Sequence, residues 1–396
     1  MKILIVSFYY YPEMGAAPSR ITNMAEGLRD SGAEVEVLTC LPNYPKGKIF
    51  DGYRGKFSCH ETVNGIKVHR YWTYATISKN PFARVLSMFA FGFTMWSMAF
   101  KRRLVKSYDR VIIQSPPILV AYSAVLLFKC LFHCTTVLNV SDLWPLSAVE
   151  LGAVKEGSLM HKMLLKVEKF LYRHVSAIQG QSREIIEHIN SFKYIKPVFL
   201  YRNLQHDINV EQQQINRRPL KIVYAGLLGV AQDILGIVKN IDFRSIGAEF
   251  HIYGGGNQTI AIENYIKDHD TSVFYHGYLD KQNMVKELLN YHVSIVPLAV
   301  HIHGAVPSKI FDLMPVGIPI LFCGGGEGAH IVEDYNLGYC SKPGDYKALH
   351  ENIIKLANLS EDKYSELKNN CLNASKTDFS FNEQMKEYYS FITTLS

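Results

Sequence analysis

The chain has 396 residues, of which 48% are apolar and 20% charged, with a formal net charge of +6. This composition excludes a disordered chain, and so small a basic excess gives no footing for a dedicated nucleic-acid binder. It suits anionic small molecules or an anionic membrane surface. Seven cysteines (Cys40, Cys59, Cys130, Cys134, Cys323, Cys340 and Cys371) are scattered without a CxxC pair. Structural zinc takes four ligands, so reduced core thiols in a cytosolic protein are the expectation.

In chain order, Met1 and Lys2 lead into a short apolar run and then Tyr-Tyr-Tyr-Pro. The run is too short for a signal peptide and reads as a buried strand, Ile3–Phe8. A helix is expected over Ala17–Ser31, with Ile21, Met24, Ala25 and Leu28 on one face, stopped by Gly32 before a strand at Glu34–Thr39. Val85–Phe100 contains no charge, includes Trp96, follows Arg84 and runs into Lys101, Arg102 and Arg103. A membrane-spanning helix needs about 20 apolar residues. This segment falls short, and it reads either as a core helix or as an interfacial helix whose basic end faces the anionic cytoplasmic leaflet.

Arg110–Gln114 is an expected strand, Pro117–Phe132 a helix and Thr136–Val140 a strand. Strand and helix in alternation imply a parallel sheet covered on both faces. A polar stretch, Gln205–Arg218, separates a second series. Its strands are Leu220–Ala225, Glu249–Tyr253, Ser272–His276, Val293–Pro297 and Pro319–Phe322, with a helix at Asn283–Leu289. The fold class is therefore α/β, with two Rossmann-like doubly wound domains at 1–204 and 205–375 and a C-terminal helix at 376–396 crossing back to the first. Ligands bind outside the carboxyl ends of such strands, so the expected site is a central cleft between the domains.

Four glycine-rich turns each follow an expected strand: Tyr9–Arg20 with Gly15 and Arg20, Tyr224–Gly229 with Gly226 and Gly229, Tyr253–Gly256 with Gly254, and Gly324–Gly326 with Gly325 ahead of Glu327. Glycine lets backbone N–H groups come close to a phosphate or a sugar hydroxyl. In Val306–Ile320, Ser308 is placed to cap a helix that carries Lys309 and Asp312 on neighbouring sides of one turn. Lysine there suits a diphosphate, and the aspartate suits a ribose cis-diol. Asp142 follows the strand Thr136–Val140 and opens Asp-Leu-Trp-Pro, read either as a site residue or as a helix cap. His301 and His303 have no third ligand at useful spacing. No metal or other cofactor is expected.

These segments together resemble glycosyltransferase family 4, in the branch that makes bacterial surface polysaccharides such as O-antigen and capsule. The resemblance rests on Tyr10–Arg20, Asp142-Leu143-Trp144-Pro145, Tyr224–Gly229, Gly254–Gly256 and the Pro307-Ser308-Lys309 stretch, in that order along nearly the whole chain. It implies a GT-B fold and a retaining transferase. The donor is then a nucleotide-sugar, UDP-linked by family habit, and the acceptor a lipid-linked glycan at the cytoplasmic face of the inner membrane.

By the same resemblance, the donor side comprises Gly15, Arg20, Gly226, Gly229, Gly254, Ser308, Lys309, Asp312, Gly325 and Glu327. Asp142 and Asp312 serve the chemistry, and Arg84, Trp96, Lys101, Arg102 and Arg103 serve the membrane or acceptor. Two departures stand out. Gly304 and Asp312 replace the family's glutamate pair, and Gln232 with Asp233 replaces an Arg/Lys pair. A sugar-nucleotide 2-epimerase and a silent nucleotide-sugar-binding subunit stay open as alternatives at this point.

Overall fold

The computed structural model describes residues 1–78, 80–102, 108–206, 208, 216–300 and 302–395, and leaves the side chains of Pro81, Met98, Lys101, Arg102, Lys281 and Gln282 undescribed. The chain divides into a first unit, Met1–Asn203 with Asn382–Ser396, and a second, Leu204–Phe381.

The first unit runs β1 (Lys2–Val6), α1 (Ala16–Asp30), β2 (Glu34–Cys40), β3 (Ser58–Val63), β4 (Ile66–Tyr71) and α2 (Pro81–Arg102), then β5 (Arg110–Ser115), α3 (Ile118–Ala124) and β6 (Thr136–Val140). It continues through α4 (Leu146–Glu150), α5 (Leu159–His174), β7 (Ala177–Gly180), α6 (Arg183–Ser191) and β8 (Val198–Leu200). Its eight-stranded sheet has the order β3-β4-β2-β1-β5-β6-β7-β8. β1 sits centrally, with Ile5 opposite Val37 on one side and Ile112 on the other. Its Ile3–Val6 run is buried on both faces, which is why it reads as a continuous apolar segment rather than an alternating one.

The sheet differs from the all-parallel expectation at one edge, where β3 pairs antiparallel with β4. Asn64 and Gly65 connect them, both at positive φ (49° and 78°), as a two-residue hairpin of the primed type requires. The expected helix at 117–132 begins as α3 and continues as a π-helical turn, Val125–Leu131.

The second unit runs β9 (Leu220–Ala225), α7 (Ile234–Asn240), β10 (Ala248–Tyr253), α8 (Thr259–Asp268), β11 (Val273–Gly277), α9 (Lys281–Leu288) and β12 (Val293–Pro297). It ends through α10 (Ser308–Leu313), β13 (Ile320–Cys323), α11 (Glu327–Asp334), β14 (Gly338–Ser341), α12 (Tyr346–Ala357) and α13 (Glu361–Lys376). The sheet order is β11-β10-β9-β12-β13-β14, and every pairing is parallel. The last helix, α14 (Phe381–Thr394), rejoins the first unit from Asn382. There Arg110 Nε donates to the Ile392 carbonyl at 2.7 Å, and the Tyr388 ring meets Tyr201 edge-on at 4.8 Å.

One buried carboxylate organises the loops at the carboxyl end of the first sheet. Glu13 accepts backbone N–H bonds from Asn43 and Tyr44, both 2.8 Å, and from Tyr10 at 3.2 Å. It thereby ties the loop after β1 to the loop after β2. Burial lifts its pKa to about 7, against the pull of those N–H donors and of Arg70. A raised folded-state pKa means that the folded chain holds the proton more tightly than the unfolded one. The resulting stability is present below about pH 4.5 and is lost as pH climbs through 7, on the order of 3 kcal/mol in all. Urea unfolding between pH 5 and 8 is expected to show this loss in the parent chain and a flatter profile in Glu13→Gln. Identical slopes for the two proteins would refute the assignment.

Candidate functional site

In the second unit the candidate residues gather where β9 and β10 end. Gly226 donates its N–H to the Tyr253 carbonyl at 2.9 Å, and Leu228 donates to Gly255 at 3.0 Å. The two glycine turns therefore lie backbone against backbone. A Cβ on Gly254 would run into the Gly226 carbonyl, and one on Gly256 into the Leu228 backbone. Gly254 also takes φ 131°, a region L side chains rarely enter. The constraint is steric on both counts.

Lys309, in the first turn of α10, closes this edge from the far side. Its Nζ stands 5.6 Å from the centre of the Tyr224 ring and packs so closely on Gly226 that a side chain there would displace it. The Tyr224 hydroxyl is occupied elsewhere, donating to the Leu227 carbonyl at 2.6 Å. Burial pushes the Lys309 ammonium below its usual pKa, and the nearby Asp312 carboxylate pulls it back up. Among the described residues Lys309 has no hydrogen-bond or ion-pair partner within 4.0 Å. A half-buried cation without a counter-charge, beside a turn that leaves no side chain in the way, is what an anionic ligand needs.

Ser308 does not cap α10 as expected. Pro307 is the N-cap, and no side chain bonds the helix start. The pyrrolidine fixes φ at −59° with ψ at 124°, so the chain turns helical only at Ser308, which becomes the first helical residue. Gly229 opens the turn into α7, its carbonyl accepting from Gln232 and Asp233. Asp233 caps α7 through the Gly236 N–H at 3.3 Å and accepts from the Tyr346 hydroxyl. Gln232, Asp233, Ala299, Cys323, Lys342 and Tyr346 border a shallow, open recess at this end of the sheet. Gly325 is half-buried, and Glu327 is buried at the start of α11.

In the first unit, Gly15 is the N-cap of α1 at φ 139° with no side-chain cap. Arg20 lies one turn on and is buried, and its strongest opposite charge is Asp142, just beyond β6. Burial lowers the Arg20 pKa and raises that of Asp142, while each charge acts to restore the other.

Helix α2 has two apolar faces rather than one. Phe91, Met95 and Ala99 are core, whereas Phe82 (83% exposed), Leu86, Phe89, Phe93 (73%) and Phe100 point outward. Trp96 belongs to the inner side, its Nε1 donating to Ser123 Oγ at 3.0 Å. Arg84 is exposed and donates to the Ser78 carbonyl. Lys101 and Arg102 end the helix, while Arg103 and His301 lie outside the described residues.

Three features escaped the sequence reading. Tyr224 as the surface beneath Lys309 was signalled only by an aromatic residue two places before the glycine. Glu13 lay unremarked within the first glycine loop, and Lys342 carries no local motif. Among the described residues no two cysteines form a disulfide. Among the described residues no three His, Cys, Asp or Glu side chains stand close enough to hold a metal, and no helix is long and apolar enough to cross a membrane.

Two doubly wound parallel units in series, each with a glycine-lined carboxyl edge, define the GT-B architecture. Residues 15–198 match the family of the glycosyl transferase 4-like domain, and residues 205–376 match glycosyl transferases group 1. The chain belongs to the GT-B glycosyltransferases and is an enzyme of that class. Among solved structures it is similar to sucrose-phosphate synthase from Thermosynechococcus elongatus, with 13% identity, 99% of each chain covered and a TM-score of 0.73. Anabaena HepE in complex with UDP gives 13% identity, 98% of this chain and 100% of that one, and a TM-score of 0.70. Staphylococcus aureus TarM, solved with Fondaparinux, alpha-GlcNAc-glycerol and UDP, gives 10% identity, 99% and 100% coverage, and 0.68. No curated protein matches the chain.

The backbone contact between the two turns yields a stability test. Gly254→Ala is expected to cost roughly 1–3 kcal/mol, because a methyl must be fitted against the Gly226 carbonyl at an unfavourable φ. Chemical denaturation measures it, and an unchanged midpoint would mean that the two turns move apart freely.

Proposed function

We propose that the chain is a retaining transferase of bacterial surface polysaccharide synthesis, such as O-antigen or capsule. It moves a sugar, an N-acetylated hexosamine or deoxyhexosamine, from a UDP-linked donor to a lipid-linked glycan. The observation that carries the donor half is the unpartnered, desolvated Lys309 against Gly226 and Tyr224. Lys309 meets the diphosphate, Gly226 and Gly254 leave room for it, and the amides of Gly229 and Gly325 add N–H donors. Asp312 accepts from ribose hydroxyls, and Ser308 and Glu327 border the same ligand. Concentrated positive charge on a departing diphosphate is worth most in a desolvated setting. The acceptor oxygen attacks the anomeric carbon on the face from which the diphosphate leaves. HepE and TarM were both solved with UDP, which agrees with a uridine donor, while a starch synthase of like similarity was solved with ADP.

Helix α2 supports the acceptor half. Its outer row of Phe82, Leu86, Phe89 and Phe93 spends apolar surface on solvent, and the chain continues into Lys101, Arg102 and Arg103. An apolar face next to basic residues suits an anionic leaflet, here the cytoplasmic face of the inner membrane.

In a transfer assay with UDP-sugars, Lys309→Ala is expected to lower kcat/KM by about 10²–10³-fold, the scale for loss of one donor aimed at developing charge. Asp312→Ala is expected to weaken donor binding by about 1–3 kcal/mol. Full activity in both variants would sink the donor assignment. Replacing Phe89 and Phe93 by Asp is expected to weaken sedimentation with anionic vesicles by roughly tenfold or more per residue. Nucleotide binding should be unaffected, and undiminished sedimentation would remove the membrane contact.

A further inference from the structure

Within the first unit two opposite charges, Arg20 and Asp142, act on each other without forming an ion pair. Arg20 is 6% exposed, and its Nε and Nη1 are buried with no hydrogen-bond partner. Asp142 is its principal opposite charge, yet no ion pair within 4.0 Å and no hydrogen bond joins them. The other group acting on Arg20 is Tyr201, whose hydroxyl is engaged with Met385 Sδ at 3.5 Å. A guanidinium sealed from water with two idle N–H nitrogens is costly unless a ligand brings it an acceptor. The carboxylate opposite needs the reverse, a hydroxyl to accept from. One ligand satisfies both if it carries an anionic group and a hydroxyl a few ångströms apart.

We propose that Arg20 and Asp142 hold the acceptor by a single phosphosugar. Arg20 takes the phosphate attached to that sugar, and Asp142 accepts a hydrogen bond from the hydroxyl to be glycosylated. Arg20 then serves the acceptor, not the donor role that its place near Gly15 suggested. The acceptor class follows as a sugar linked directly to phosphate or diphosphate, hence the first sugar of a lipid-borne chain and not the far end of a long glycan. Guanidinium matches phosphate oxygens in geometry and charge. The uncapped start of α1, one turn away, adds a favourable dipole for an anion. This inference rests on the proposed function, and its test separates the two.

Two acceptors are compared: an alkyl diphosphate of N-acetylglucosamine and the alkyl glycoside of the same sugar without phosphate. The wild-type chain is expected to favour the phosphorylated acceptor by roughly tenfold or more in kcat/KM. Arg20→Gln should bring the ratio towards one through the acceptor KM, with UDP affinity unchanged, and Arg20→Lys should recover part of it. Equal use of both acceptors by the wild-type chain overturns the inference. So does an Arg20→Gln defect confined to the donor KM, or a preference for a uronate glycoside over the phosphorylated one. If no acceptor is used at all, the proposed function fails, and calorimetry with N-acetylglucosamine 1-phosphate on Lys309→Ala decides the site separately. Binding there that disappears on adding Arg20→Gln supports it, and absence of binding overturns it.

Discussion

The second unit depends on a single steric fact: the turns after β9 and β10 touch through their backbones, with no room for side chains between them. Because Gly226 is pressed against Gly254 on one side, it can accept the Lys309 side chain on the other. The Tyr224 ring supplies a floor for the ammonium, and its hydroxyl is tied to Leu227, so that floor does not swing. A lysine held in this way is half-buried and has lost part of its hydration before any ligand arrives. Its attraction for an anion is correspondingly larger than that of a lysine in bulk water.

The first unit uses buried charge differently. Glu13 and Arg70 are spent on holding loops: Glu13 through three backbone N–H groups, Arg70 through Glu61 and the Tyr11 carbonyl. Buried Arg20 and half-buried Asp142 are not spent in this way, which is why they stand out. Helix α2 meets a similar division of labour with apolar residues. Phe91 and Met95 complete the core beneath it, while Phe82, Phe89 and Phe93 remain on the outside.

Most of the architecture was legible because parallel, doubly covered strands must be apolar throughout. Thr136–Val140, Leu220–Ala225 and Val293–Pro297 stand where the apolar runs place them. The antiparallel β3–β4 edge was missed, although Asn64-Gly65 is a strong turn signal. Its flanking strands, exposed at alternate positions, carry too few apolar residues to stand out. Helix α2 was read as core or interfacial, and it is both inward-packed and outward-apolar, since a charge-free run does not say which face is covered. At the site, Lys309 and its glycines were legible from their order along the chain. The position of Ser308 was not, because Pro307 sets where the helix begins. Arg20 facing Asp142 was beyond reach, since it joins residues of α1 and the end of β6 that only the sheet order brings together.

The most direct test of the account is a calorimetric titration of the purified chain with UDP, GDP, ADP and CMP, without added metal. Selective binding of UDP, abolished in Lys309→Ala, is the expected result and would establish the second unit as a metal-free nucleotide site. Failure of all four nucleotides to bind would contradict it, and would mean that Gln232 and Asp233, in place of cations, leave the site unable to hold a diphosphate.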